Sequence, residues 1–288
     1  MLHPGLMTDA VQALGERFPR KRVVVTGAAS GLGLELCRRF ARGGWTIGML
    51  DVNGAALDAA GTEVERLGGR VRRAVVDVTD ADGVRAAIDA FVGEAQGLDV
   101  MVNNAGVAVG GDFLETPLDD WRWIVGINLL GVVYGAHAAL PALLASRSGL
   151  LLNVASAAGF ASSASMSAYN STKAAVVALS ETLYAETIGT GVQVSVAMPY
   201  FFKTGLLATL RGSAQGRRDA ERMFERTPYT LEQAATDVLN GAVAGRLYVL
   251  APRWLALLWL VKRVNGPFFL RLFRRLRDRE LGRRAASA

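Results

Sequence analysis

The 288-residue sequence predicts an α/β fold: a single doubly wound parallel sheet of seven strands, followed by an amphipathic helical tail. Two observations carry the prediction. Short runs that are apolar on both faces, as strands between two helix layers must be, alternate with longer segments of helical periodicity. No linker, internal repeat or low-complexity stretch interrupts that alternation before the tail. In order, the strand candidates are residues 22–26, 46–50, 71–76, 98–102, 149–155, 192–197 and 247–250, and the main helix candidates are 32–42, 55–67, 80–95, 121–144 and 168–187. One domain therefore occupies residues 20–252, preceded by a loose leader over 1–19 that has no continuous apolar core and is no signal peptide, and followed by an extension over 253–288.

Composition bounds the function. With 51% hydrophobic and 20% charged residues the chain is an ordinary globular protein. Its net charge of +6 sits in the tail: from Arg246 onward eleven Arg or Lys face only Asp278 and Glu280, so the body is slightly acidic. That distribution argues against a nucleic-acid partner. A lone Cys37 and the distant pair His3 and His137 support neither a disulfide nor a metal site.

The first strand ends in Thr26-Gly27-Ala28-Ala29-Ser30-Gly31-Leu32-Gly33 and runs into a helix. A glycine-rich turn in that setting brings backbone amides to a pyrophosphate at the helix N-terminus. Eighteen residues beyond Gly33 the second strand ends at Asp51, where a carboxylate accepts bonds from ribose hydroxyls and repels a 2′-phosphate. No basic residue stands beside it in Val52-Asn53, which favours NAD(H), with NADP(H) as the second option. The competing role for Asp51 is capping the helix that begins near Gly54.

Tyr169 and Lys173 are four residues apart and share one helix face, in a chain with only four lysines. Thirteen residues before Tyr169, the fifth strand ends in Asn153-Val154-Ala155-Ser156, which puts a hydroxyl at the carboxyl edge of the sheet, where open α/β folds bind ligands. A phenol can donate a proton to a developing alkoxide, and a nearby ammonium stabilises its phenolate in the reverse direction.

With these residues in place the chain resembles a classical short-chain dehydrogenase/reductase over roughly residues 20–252. The likeness extends to Asp77 after the third strand, Asn103-Asn104-Ala105-Gly106 after the fourth, and Asn128 in the following helix. It implies a seven-stranded Rossmann sheet, a nicotinamide cofactor, and hydride transfer to or from a carbonyl or carbinol carbon. It further implies that Asn128, Ser156, Tyr169 and Lys173 are catalytic, Asn128 by holding a proton-relay water. The cofactor would be held by the glycine loop, Asp51, Asp77, Val78, Asn104, Ala105, Gly106, Tyr169, Lys173, Pro199 and Thr204. Relatives pair through the helices at 121–144 and 168–187, which implies a homodimer or homotetramer. Two other readings of the same fold are a cofactor-sensing regulatory or scaffold protein without turnover and an epimerase or dehydratase; the complete proton-transfer set argues against the first.

The sequence departs from the family pattern in two places. Where a glycine usually follows Pro199, this chain has Tyr200, then Phe201 and Phe202, with Thr204 at the family's spacing. Tyr200 and Phe201, together with Ser156 and Tyr169, are the expected substrate-binding residues, and the aromatics favour a hydrophobic small-molecule substrate. Residues 205–227 are the expected substrate-covering segment. In the tail, Trp254, Leu257, Leu258 and Val261, then Phe269, Leu272, Phe273 and Leu276, recur at helical spacing among arginines. That pattern fits an interfacial helix on an anionic membrane, or an apolar face packed on a neighbouring subunit or over the pocket mouth. The expected location is the cytoplasm, with the inner membrane face as the site of any such contact.

Overall fold

A computed structural model describes residues 6–202, 205–207 and 209–280. Its centre is a parallel sheet of β1 (Arg22–Thr26), β2 (Thr46–Asp51), β3 (Arg70–Val75), β4 (Val100–Asn103), β5 (Gly149–Val154), β6 (Val192–Pro199) and β7 (Tyr248–Ala251), in the order β3-β2-β1-β4-β5-β6-β7. The order reverses between β1 and β4, where Val24 is in register with Met101, and a crevice opens at the carboxyl ends there.

Each central strand feeds two cores because its side chains alternate faces. Val23 and Val25 pack against α1 (Leu6–Arg17), α2 (Gly31–Arg42), α3 (Gly54–Arg66) and α8 (Leu231–Val243). On the other face, Val24 packs against α4 (Ala81–Ala95) and α5 (Leu118–Ala145), which lie beside α6 (Ser167–Thr187). Cys37 is wholly buried on α2, where desolvation pushes its thiol upward. A buried bidentate pair, Arg22 with Asp99 at 2.7 and 3.0 Å, joins the lower ends of β1 and β4.

The structure corrects the expected loose leader over residues 6–18; the rest of that expectation, at 1–5, lies outside the described residues. Residues Leu6–Arg17 form α1, and Ala10, Val11, Leu14 and Phe18 are buried in the core shared with α2 and α8. Their spacing makes one helical stripe, and its burial depends in part on α8, more than 200 residues away.

The covering segment is also ordered where it is described. Gly205–Leu207 makes a tight turn, Arg211–Gly212 pairs with Val109–Gly110 as a two-stranded ribbon, and α7 (Ala214–Arg226) follows. The tail forms α9 (Leu255–Val264) and α10 (Gly266–Glu280). Both pack on the domain through one face only. Leu255 and Phe269 are buried, and Trp259 lies 4.5 Å from the Tyr248 ring. Trp254 and Leu257, expected on the same stripe as Leu258 and Val261, are instead exposed, as are Leu272 and Leu276 on α10.

Candidate active site

At the crevice, the β1–α2 turn is built for close approach. Gly27 and Gly31 have φ of +63° and +52°, values that glycine adopts without strain. A Cβ on Gly33 would lie 2.2 Å from the Gly27 carbonyl oxygen, so only glycine lets α2 start this close to the turn. Thr26 and Asn104 stitch the floor together: the Thr26 Oγ1 accepts from the Asn104 and Ala105 amides at 3.0 and 3.1 Å, and Asn104 Nδ2 donates to the Thr26 and Gly27 carbonyls. The Ser30 side chain makes no capping bond, which leaves the first-turn amides of α2 to a ligand.

The helix-capping role considered for Asp51 belongs to its neighbour. Asn53 caps α3 by accepting from the Ala56 amide, while Asp51 accepts from the Ala29 and Asn53 amides, each at 3.0 Å. Those bonds fix its carboxylate at the cleft rim. Asp77 is fixed similarly by the Thr79 amide and hydroxyl at 2.9 and 2.8 Å.

Across the cleft, Lys173 and Tyr169 project from one face of α6 towards the end of β5. The Lys173 ammonium donates to the Val154 carbonyl at 2.9 Å, and burial pulls its pKa down to about 8. Burial likewise raises the Tyr169 phenol, against which a hydrogen bond with the Ser156 hydroxyl works in the lowering direction. Asn128 sits in a π turn, Gly126–Leu130, inside α5. It is fully buried, accepting from the Val107 amide at 2.8 Å and donating to the Val107 carbonyl at 2.9 Å. That clamp holds the Gly106 backbone beside Lys173. A buried ladder from Asn103 through Asn153 to Ser180 ties β4 and β5 to α6 beneath the site.

One cleft of about 480 Å³ joins both halves. Its wall includes Gly27, Ser30, Gly31, Leu32, Asp51, Asp77, Val78, Asn104, Ala105 and Gly106 at one end, and Ser156, Tyr169, Lys173, Pro199, Tyr200 and Phe201 at the other. Thr26, Gly33 and Asn128 support this wall from behind, and Thr204 lies outside the described residues. Val52, Trp123 and Met166, which the sequence did not single out, also line the cleft, as do Leu206 and Leu210 of the expected covering segment. The covering segment is pinned by Arg211, whose guanidinium lies 3.8 Å from the Trp123 ring centroid and 3.6 Å from Asp120. Phe202 also borders the cleft, and it is buried against Tyr229.

The model of the short chain dehydrogenase family matches residues 21–215. The chain belongs to the short-chain dehydrogenase/reductase family. It is 35% identical over 190 residues to the meso-2,3-butanediol dehydrogenase of Serratia marcescens, covering 66% of this chain and 74% of that one. It is 39% identical over 182 residues to the 1-deoxy-11-beta-hydroxypentalenate dehydrogenase of Streptomyces exfoliatus, covering 62% and 66%. The fold is similar, with a TM-score of 0.78 and 29% identity, to a short-chain dehydrogenase/reductase from Burkholderia phymatum solved in complex with NAD, covering 93% of this chain and 97% of that one. This short-chain dehydrogenase/reductase is thus an oxidoreductase of alcohol and carbonyl groups, and its glycine turn, Asp51 and first-turn amides suit a nicotinamide dinucleotide.

Proposed function

We propose that the enzyme interconverts a hydrophobic secondary alcohol and its ketone, or a primary alcohol and its aldehyde, with NAD(H) preferred over NADP(H). The observation that carries this reading is the character of the cleft around Tyr169: beyond Ser156 and Tyr169 the substrate end is walled by Trp123, Met166, Tyr200, Phe201, Leu206 and Leu210. Such a wall suits a lipid-, terpenoid-, retinoid- or steroid-like carbon skeleton. The likeness to a hydroxypentalenate dehydrogenase supports the same class.

Bound NAD(H) supplies or accepts the hydride at its nicotinamide ring. Everything else falls to the chain. Ser156 donates a hydrogen bond to the substrate oxygen, and Tyr169 gives that oxygen a proton as the carbonyl is reduced. In oxidation the Tyr169 phenolate takes the proton back, stabilised by the Lys173 ammonium on the same helix face. Asn128, held by Val107, steadies the Gly106 turn and the water that relays protons outward from Lys173. The glycine turn, Asp77, Val78, Asn104, Ala105, Pro199 and Thr204 hold the cofactor, with Asp51 on its ribose. Copies of the chain pair through α5 and α6, where Leu130, Leu144 and Tyr184 are exposed, and the enzyme acts in the cytoplasm.

The test is NADH and NADPH consumption, measured separately, with medium-chain, terpenoid, retinoid and steroid ketones and aldehydes. Turnover with a lower Michaelis constant for NADH is expected. NADH binding without turnover of any of them would overturn the reductase reading in favour of a cofactor sensor, and equal or reversed constants would remove the role given to Asp51.

A further inference from the structure

Helices α9 and α10 bury one face and leave a second apolar face in solvent. Trp254, Leu257, Leu260 and Val264 are exposed along α9, and Phe268 and Leu272 continue the series after Pro267. Leu257 is 66% and Val264 81% exposed, far above what the buried face needs for packing. From Arg253 to Arg277 the chain carries seven cations and no Asp or Glu. Of these, Arg253, Arg263, Arg271 and Arg275 are exposed around the stripe.

This face also begins at the catalytic cleft. The Trp254 ring lies 5.4 Å from Tyr200, which lines the cleft and is itself 5.3 Å from Phe201. Lys262, on the buried side of α9, donates to the Phe160 carbonyl and, at 3.1 Å, engages Ser162, in and just after the short helical turn Ala158–Ala161 between Ser156 and Tyr169. The helix is therefore fixed relative to the active site by its packed face while its opposite face stays apolar.

We infer that α9 and α10 form a docking platform for an anionic lipid surface, which sets the aromatic wall of the cleft against the bilayer from which an apolar substrate is drawn. The last clause rests on the substrate class proposed above; the docking itself does not. Bulky apolar side chains rimmed by arginine, with no acid before Asp278 near the end of α10, match the acyl boundary and the anionic headgroups together. A second copy seated on the same face would set the exposed Arg253, Arg263, Arg271 and Arg275 against their own counterparts, which charge repulsion disfavours. The described part of α9 is 10 residues long and lies on the domain, so it rests in the interface and does not cross it.

The experiment is sedimentation of the full chain with phosphatidylcholine vesicles, with and without about 30% phosphatidylglycerol. The wild type is expected to pellet with the anionic vesicles, to remain in solution with neutral ones, and to be released by high salt. A double variant, Leu257→Glu with Val264→Glu, changes only exposed side chains and is expected to lose binding about tenfold or more while its turnover of dissolved ketones is unchanged. A wild type that stays in the supernatant, or a variant that pellets equally well, overturns the inference. So does light scattering in which the variant falls to a smaller oligomer, since a second copy would then be what covers the stripe. Lipid binding is read without turnover, so failure of docking and failure of the substrate assignment are separately visible.

Discussion

Tyr169→Phe is expected to lower kcat in both directions by about 10³-fold while the variant still folds and binds NADH. The phenol is the acidic group that the structure puts in the cleft with the Ser156 hydroxyl, and burial holds it protonated in the resting protein. Phenylalanine keeps the ring and its packing against Ala108, Ile124 and Leu210 but removes the only proton that the residue offers the substrate oxygen. Fluorescence titration with NADH separates this outcome from a loss of binding. Near wild-type turnover in the folded variant would reject Tyr169 as the general acid.

Lys173→Met is expected to split stability from activity. The lysine is almost wholly buried and its pKa falls from 10.5 to about 8, so below pH 8 the folded chain holds an ammonium that burial disfavours. The sign follows from proton counts: between these two values the unfolded chain binds the proton and the folded one does not, so wild-type stability rises with pH through that window. At neutral pH the shift alone corresponds to roughly 3 kcal/mol of destabilisation, and the hydrogen bond to Val154 returns about 1 kcal/mol. Methionine removes both, for a net gain of about 2 kcal/mol at pH 7 that shrinks as pH approaches 10. Turnover falls about 10²-fold or more, because the phenolate loses its cation. Denaturant melts of both proteins at pH 7 and pH 9.5 check the stability half. A variant less stable than wild type at pH 7 would mean that Lys173 is placed for structure and not retained for chemistry.

Most of the site was legible because it lies at strand ends that the sequence marks clearly. Asp51, Asp77, Asn104 and Ser156 each follow a short apolar run, and strand polarity alone brings them to one edge. Tyr169 and Lys173 were legible through helical spacing. What the sequence did not disclose is long-range. Trp123 and Met166 reach the cleft only because α5 and the loop before α6 converge there, and no local pattern marks a cleft-facing side chain. The π turn around Asn128 is invisible in hydrophobic periodicity, since it alters the helix without altering its apolar face. The first helix was missed for the same reason that it folds: its four buried residues gain a partner only once α2 and α8 are in place. In the tail, the spacing of Trp254, Leu257, Leu258 and Val261 suggests one apolar stripe, whereas α9 is apolar on two sides and tertiary packing selects which of them is buried.

Hydride transfer is tested most directly with NADH carrying two deuterium atoms at the nicotinamide C4 and the apolar ketone turned over fastest. One deuterium per turnover is expected on the carbinol carbon of the alcohol product, with NAD⁺ accumulating in equal amount. Product formed without deuterium and without net oxidation of the cofactor would contradict it, and would make the chain an epimerase or dehydratase on the same fold.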